Sequence, residues 1–354
     1  MSTAINDDAY AAPHYSLAAA EPPPEESEVT CAPMRAAESV SENGPVPAMG
    51  ESIAQRKRDT AQRCTEVAKR LDRRLLFGMT TSLALQSVPL PADCDLDQLA
   101  LHAVCSTRDK RIRARNEEVR THIWRYVTNE NVVRINRHVF ALDLFHVWAQ
   151  MAVHVPFESL VVLGDAIVTA TAKQSSLANN RDILAVHRDF AACINGLVGF
   201  KGRSRCLRAL ELVVPGADSP KETEERISLL SHGIPQPAVN YTVPDALFDS
   251  GFPMTLDMAW PEYKVAVEYD GDHHRTSKTQ WRRDREKRAR LIGRRWTVFV
   301  ATAASLADED ARAEFAFNVA RELARRGAVF EFRVIAMTIE QLAERRLKES
   351  RRRS

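Results

Sequence analysis

The sequence predicts an α/β protein in three parts: a disordered N-terminal tail over residues 1–50, an α+β, largely helical domain over 51–215, and a mixed sheet flanked by helices over 216–354. Three observations predict it. The first fifty residues carry no periodic apolar pattern. Helix-period stripes alternate with short β-rich runs from about Glu51 onward, and Met254–His274 has the pattern of two apolar strands around a tight turn. A chain of 354 residues with 45% hydrophobic side chains can fill two cores.

Residues 1–50 are rich in Ala, Pro, Glu and Ser, contain Pro22-Pro23-Pro24-Glu25-Glu26, and hold Arg35 as their one basic residue. Such a composition cannot bury enough apolar surface to offset chain entropy, and no chemistry is assigned to it. No apolar run approaches the ~18 residues of a membrane span, and no basic-then-apolar leader opens the sequence. The six cysteines, at 31, 64, 94, 105, 193 and 206, lack CxxC and CxxH spacing. That argues against a zinc site and a disulfide framework, and suits a reducing, cytoplasmic compartment. A formal charge of +2 says little about partners, so the distribution of charge must.

From Glu51 a helical pattern carries Ile53, Val67, Leu71, Leu75 and Leu76 among many Arg and Lys residues. Gly78 and the run Thr80–Leu85 follow, closed by Val88-Pro89-Leu90-Pro91. Strands are expected at Leu99–Cys105 and Val119–Trp124, a turn flanked by Asn131–Ile135 and His138–Leu142, and an amphipathic helix over Ala141–Val153. Pro156-Phe157-Glu158 starts a long helix through Val168, with Leu160, Leu163 and Ile167 on one face. A further helix runs from about Ile183, and Gly199–Arg203 leads into an Arg-rich helix ending at Val214. Arg108, Lys110, Arg111, Arg113 and Arg115 either touch phosphate or line a solvated loop.

The third part opens at Ser219-Pro220-Lys221-Glu222, an N-cap, a first-turn proline and the Glu of a capping box. Its helix ends at Gly233 and a strand follows at Val239–Val243. After the hairpin comes a helix over about Thr276–Ile292, then strand Trp296–Ala301, helix Asp308–Arg326, strand Val329–Val334 and helix Thr338–Lys348. The helix after the hairpin carries Lys278, Arg282, Arg283, Arg285, Lys287, Arg288 and Arg290 against Asp284 and Glu286. Such a charge suits a polyanion, or else a solvated helix face.

The hairpin holds the candidate chemistry. A turn centred on Glu262 and Tyr263 pairs 259 with 266 and 257 with 268, so Asp257 opposes Glu268 about 5 Å away at Cβ. Asp270 projects from the same face two residues on. Carboxylates so crowded must take up a proton or share a cation, and a hard divalent ion with oxygen ligands is the usual partner.

An Asp on one strand, a Glu on the next and then Tyr269-Asp270-Gly271-Asp272-His273-His274 resembles the DUF559 domain, a relative of very-short-patch-repair endonucleases in the PD-(D/E)XK, restriction-endonuclease-like fold. The resemblance covers about Asp218–Arg326 and includes Ser219–Thr223, Gly233–Pro237, Arg283-Asp284, Gly293 and Trp296. It implies a metal-dependent nuclease with Asp257 and Glu268 as ligands of Mg2+ or Mn2+. Asp270 stands where the superfamily motif has Lys, as third ligand or as the group orienting a histidine. His274 is the implied general acid or base, and Glu222 either closes its capping box or adds an acid to the metal site. Arg282, Arg283, Arg285 and Lys287 are the implied DNA-binding residues. A departure is Phe299-Val300, where relatives commonly carry Arg. The middle region, on the Gly78–Pro91 run, the Asp143–Ala152 helix and Leu163-Gly164-Asp165-Ala166, resembles the AbiEi-like region named after a type IV antitoxin. It lacks that group's winged helix-turn-helix pattern.

Three functions are therefore expected of such a sequence. They are a metal-dependent DNA endonuclease in defence, mobile-element or repair biology; a non-catalytic antitoxin-like or DNA-binding regulator on the same fold, with a toxin or defence protein as partner; and a nuclease acting on RNA or another phosphodiester. None involves a membrane.

Overall fold

The computed structural model describes residues 49–112, 118–271 and 278–353. They form a mixed α/β structure with two mixed sheets. α1 (Met49–Arg70) leads into β1 (Leu75–Phe77), α2 (Met79–Leu85), β2 (Leu101–Cys105), β3 (Val119–Ile123), β4 (Val132–Arg134) and β5 (Val139–Leu142). These strands make a sheet in the order β3-β2-β1-β5-β4, with β1 parallel to β5 and antiparallel to β2. Leu75 and Phe77 pack with Cys64, Val67 and Ala68 of α1, while Leu76 faces the helices on the other side.

Leu75 and Leu76 are thus strand rather than helix. Asp72, at φ +48°, turns the chain after α1, and three consecutive buried residues suit a strand covered on both faces. α3 (Leu144–Met151), α4 (Phe157–Lys173), α5 (Ser175–Ala178), α6 (Ile183–Gly196) and α7 (Arg203–Leu210) complete this part. The helix expected over Ala141–Val153 is shorter, because Ala141 and Leu142 finish β5. Asp143 then caps α3, accepting from the N–H groups of Phe145 and His146 at 2.9 and 3.2 Å.

The second sheet follows α8 (Pro220–Ser231). It consists of β6 (Ala238–Leu247), β7 (Pro253–Trp260), β8 (Val265–Tyr269) and, after α9 (Lys278–Gly293), β9 (Thr297–Ala301). Its order is β6-β7-β8-β9, antiparallel except that β8 and β9 run parallel. α10 (Glu309–Arg325) packs Val319 and Leu323 with Met258, Trp260, Val265 and Val267, joined by Leu229 of α8. Ala259 and Ala266 share a second cluster with Leu291 of α9 and Trp296. α11 (Ile339–Arg353) follows.

The strand expected at Val329–Val334 is an extended strap without a sheet partner. Phe330 and Phe332 pack on the second core while Val329 is 96% exposed. Its backbone is tied to the end of α8 instead: Arg333 N–H donates to His232 O at 2.8 Å. The apolar alternation is real, but it anchors a strap rather than a sheet edge.

The core around α3–α7 also takes in Ile227 and Leu230 of α8 and Leu342 and Ala343 of α11, so it runs across residue 216. Within this seam Asp165 of α4 and Arg226 of α8, each 1% exposed, pair at 2.8 Å. Thr223 Oγ and the Val214 N–H also donate to Asp165, at 2.9 and 2.7 Å. Among the described residues no helix is long and apolar enough to cross a membrane.

Candidate active site

Met258 pairs with Val267, Ala259 with Ala266 and Trp260 with Val265, the register that the turn predicts. One step further along the ladder Asp257 opposes Glu268. Asp257 Oδ2 accepts the Tyr269 N–H at 2.9 Å, which fixes its carboxylate across the two strands. Both acids are half-buried, Asp257 on β7 and Glu268 near the end of β8.

The N-terminus of α8 brings Glu222 to the same place. Ser219 Oγ accepts the Glu222 N–H at 3.2 Å, and Glu222 Oε2 accepts the Asp218 N–H at 2.9 Å. The sequence sets cap against site as competing roles for Glu222, and the structure shows the cap. The cap engages Oε2 while the side chain remains close enough to feel the charge of Asp257.

Lys287 of α9 is the least expected member. The sequence groups it with the phosphate-facing cations, yet its Nζ donates to Glu268 Oε1 inside the site, both side chains being mostly buried. The ammonium beside Glu268 thus arrives from a helix and not from the hairpin that carries the acids.

Electrostatics mark the cluster as short of positive charge. Burial raises the carboxyl of Glu222 to about 7, with the charge of Asp257 adding to it and the Asp218 N–H and Ser219 hydroxyl opposing it. Burial also raises Asp257, opposed by the Tyr269 N–H and Lys287 and reinforced by Asp218. Glu268 is raised by burial, opposed by the charge and hydrogen bond of Lys287, and pushed further by Asp257 and Asp284. Asp218 and Asp284 are thus companions that the strand pattern could not reveal. They sit on a helix end and a helix, where position relative to the sheet depends on packing.

The other predicted residues are placed as follows. Asp270 stands just beyond β8, its N–H donating to Ala301 O at 2.8 Å. His274 lies outside the described residues, and so does the side chain of Arg282. Arg283 stacks over Phe248, 5.8 Å from the ring centroid, and the backbone of Arg285 lies on the exposed side of α9. Arg290 and Glu286 of α9, with Arg294 just beyond it, dock the helix on the β6–β7 hairpin. Arg290 binds Asp249 and Leu247 O, Arg294 binds Asp245 O, and the Asp249 N–H donates to Glu286 at 2.6 Å. Phe299 packs at the second core and Val300 is 37% exposed, so neither offers a charge to a substrate.

No family model and no solved structure matches the chain. Two uncharacterized proteins of Mycobacterium tuberculosis, MT2308 of strain CDC 1551 / Oshkosh and Rv2248 of strain ATCC 25618 / H37Rv, are similar to it. Each is 29% identical over 135 residues, which covers 37% of this chain and 48% of the relative. The chain thus spans about half the length of the curated relatives it matches.

The chemistry of the donor set decides which cation it could hold. Among the described residues no three His, Cys, Asp or Glu side chains converge as a ready metal cage. Asp257 and Glu268 nonetheless present hard oxygen donors, and Mg2+ is commonly held by one or two carboxylates with water and substrate phosphate completing its shell. A two-carboxylate site fits that ion better than it fits zinc, which takes nitrogen and sulfur.

Proposed function

We propose that the chain is a divalent-cation-dependent endonuclease-like phosphodiesterase, with DNA as its substrate. The observation that carries this reading is the Asp257–Glu268 pair with Lys287 Nζ on Glu268 and Glu222 closing the cluster. Asp257 and Glu268 would hold Mg2+ or Mn2+, which supplies charge neutralisation at phosphorus and a lowered pKa for water.

The chain's own residues have distinct roles in this scheme. Asp257 is held in orientation by the Tyr269 N–H. Lys287 opposes the burial that raises Glu268 and offers a cation beside the position where negative charge grows. Glu222, with a carboxyl near 7, can give or take a proton at neutral pH. His274 and Asp270 keep the roles the resemblance implies for them, acid–base chemistry and a third ligand or orienting group. A defence, mobile-element or repair setting follows from the same resemblance.

The second reading is a regulator that binds DNA or a toxin-like partner without cleaving it. The observation in its favour is that the Lys287 ammonium itself pairs with Glu268. A nuclease assay of the full chain with Mg2+ or Mn2+ on duplex, single-stranded and mismatched DNA, alongside RNA, tests both. Metal-dependent cleavage abolished in Asp257→Asn supports the enzyme. DNA or partner binding with neither metal uptake nor cleavage transfers the protein to the regulator class.

A further inference from the structure

The acidic cluster is joined to the first sheet's part of the molecule through Asp218. Asp218 acts on both Asp257 and Glu222, and it pairs at 2.7 Å with Lys173 in the last turn of α4. Beyond Lys173 lies a groove of about 490 Å3 between α1, α4 and the 217–220 segment. Ile53 and Lys57 line it from α1, one helical turn apart, and Ala166, Ala170 and Lys173 line it from one face of α4. Val162 and Pro89 extend an aliphatic floor between two lysines.

A cluster of carboxylates repels the polyanion it is to cleave, so nearby cations must hold the phosphates. Arg290 and, beyond the end of α9, Arg294 are tied to the β6–β7 hairpin, and Lys287 is held on Glu268 with both side chains mostly buried. The Lys173–Asp218 pair is different. Its side chains are 64% and 48% exposed, and so open an ion pair exchanges readily for a phosphate. The groove is too small for a duplex roughly 20 Å across but has room for an unpaired nucleotide, whose sugar and base would lie on the aliphatic floor.

We propose that the Lys57–Lys173 groove takes a single-stranded segment of nucleic acid adjoining the candidate active site, with the two lysines on its phosphates. This rests on the nuclease reading for its substrate class. It is tested without turnover, so that the two can fail separately.

The full chain and Lys57→Ala/Lys173→Ala would be compared by fluorescence anisotropy in EDTA over a salt series. The probes are a blunt duplex and the same duplex with a single-stranded overhang. The wild type should prefer the overhang. The double variant should lose that preference, and its log–log salt slope should flatten by about 1.4, two contacts at about 0.7 each for single strands. Binding to the blunt duplex should be unchanged, and Lys57→Arg/Lys173→Arg should restore the preference. Equal loss on both probes, no loss on either, or no overhang preference in the wild type would overturn the proposal. So would displacement of the overhang by poly-glutamate at matched charge, which would give the groove to an acidic protein. Absence of cleavage with the overhang preference intact would remove the nuclease reading and leave the groove standing.

Discussion

Lys287 and Glu268 lie 19 residues apart in sequence, on a helix and a strand, and the ammonium of one donates to the carboxylate of the other in a mostly buried site. The relationship makes the charge state of the cluster depend on how α9 docks. In Lys287→Met, burial and the neighbouring acids should drive the Glu268 carboxyl further up. A carboxyl raised on folding favours the folded state at low pH and loses that contribution as pH rises through its folded value. The variant should therefore match wild type in acid and lose stability relative to it as pH rises through the raised Glu268 value, as urea titrations across pH would show. Cleavage, measured in parallel, should fall by about 10²–10³-fold, the usual effect of losing one charge-stabilising donor.

Asp257→Asn keeps an oxygen for the Tyr269 N–H, so the fold should persist while the negative charge disappears. Mn2+ affinity measured by calorimetry should weaken by at least about tenfold, the lower end of what even outer-shell changes cost. An unchanged affinity in a folded variant would place the ion elsewhere.

Glu222 offers a pH test. Its carboxyl moves from 4.5 to about 7 on folding, so its contribution is full below 4.5 and is lost as pH rises through about 7. Glu222→Gln retains the acceptor for the Asp218 N–H and should remove this part of the decline. Glu225, buried on α8 and raised by burial to about 8 against the charge of Arg312, should keep its own slope to higher pH until replaced by Gln. If Glu222→Gln leaves the stability profile between pH 4.5 and 7 unaltered, Glu222 does not titrate in the way described.

The Asp165–Arg226 pair should be costly to break from one side. Arg226→Met leaves a carboxylate that is 1% exposed without its cation, and about 3–5 kcal/mol of stability should go. Asp165→Asn combined with Arg226→Met should recover part of that loss in denaturant titrations.

Gly233 tests the strap. At φ +87° it passes under the 328–335 segment so closely that a Cβ would lie 2.1 Å from Glu331 O. Gly233→Ala should lower stability by about 1–3 kcal/mol from the backbone conformation alone. Its melting temperature should fall below that of Gly327→Ala, where a Cβ meets nothing within 4 Å.

The hairpin was legible because strand alternation and turn length fix register locally, and 257 against 268 follows from residues a few positions apart. The capping box at Ser219 was legible for the same reason. Lys287 was not, since seven cations on one helix look alike until the helix is docked, and docking turns Lys287 inward and fastens Arg290 to the hairpin. Leu75 and Leu76 misled because a short, doubly covered strand has no alternation and continues a helix's apolar content. Val329–Val334 misled in the opposite sense, having alternation without a partner strand.

The shared core has a consequence for synthesis. α7 ends at Leu210 and α11 begins at Ile339, yet Leu342 and Ala343 fill the space among the earlier helices. At the ~5–20 residues per second of translation, that space stays open for on the order of ten seconds after α7 has left the ribosome. During that interval the apolar residues of α3–α7 that Leu342 and Ala343 later cover face water, so this core closes only once the last helix has been made.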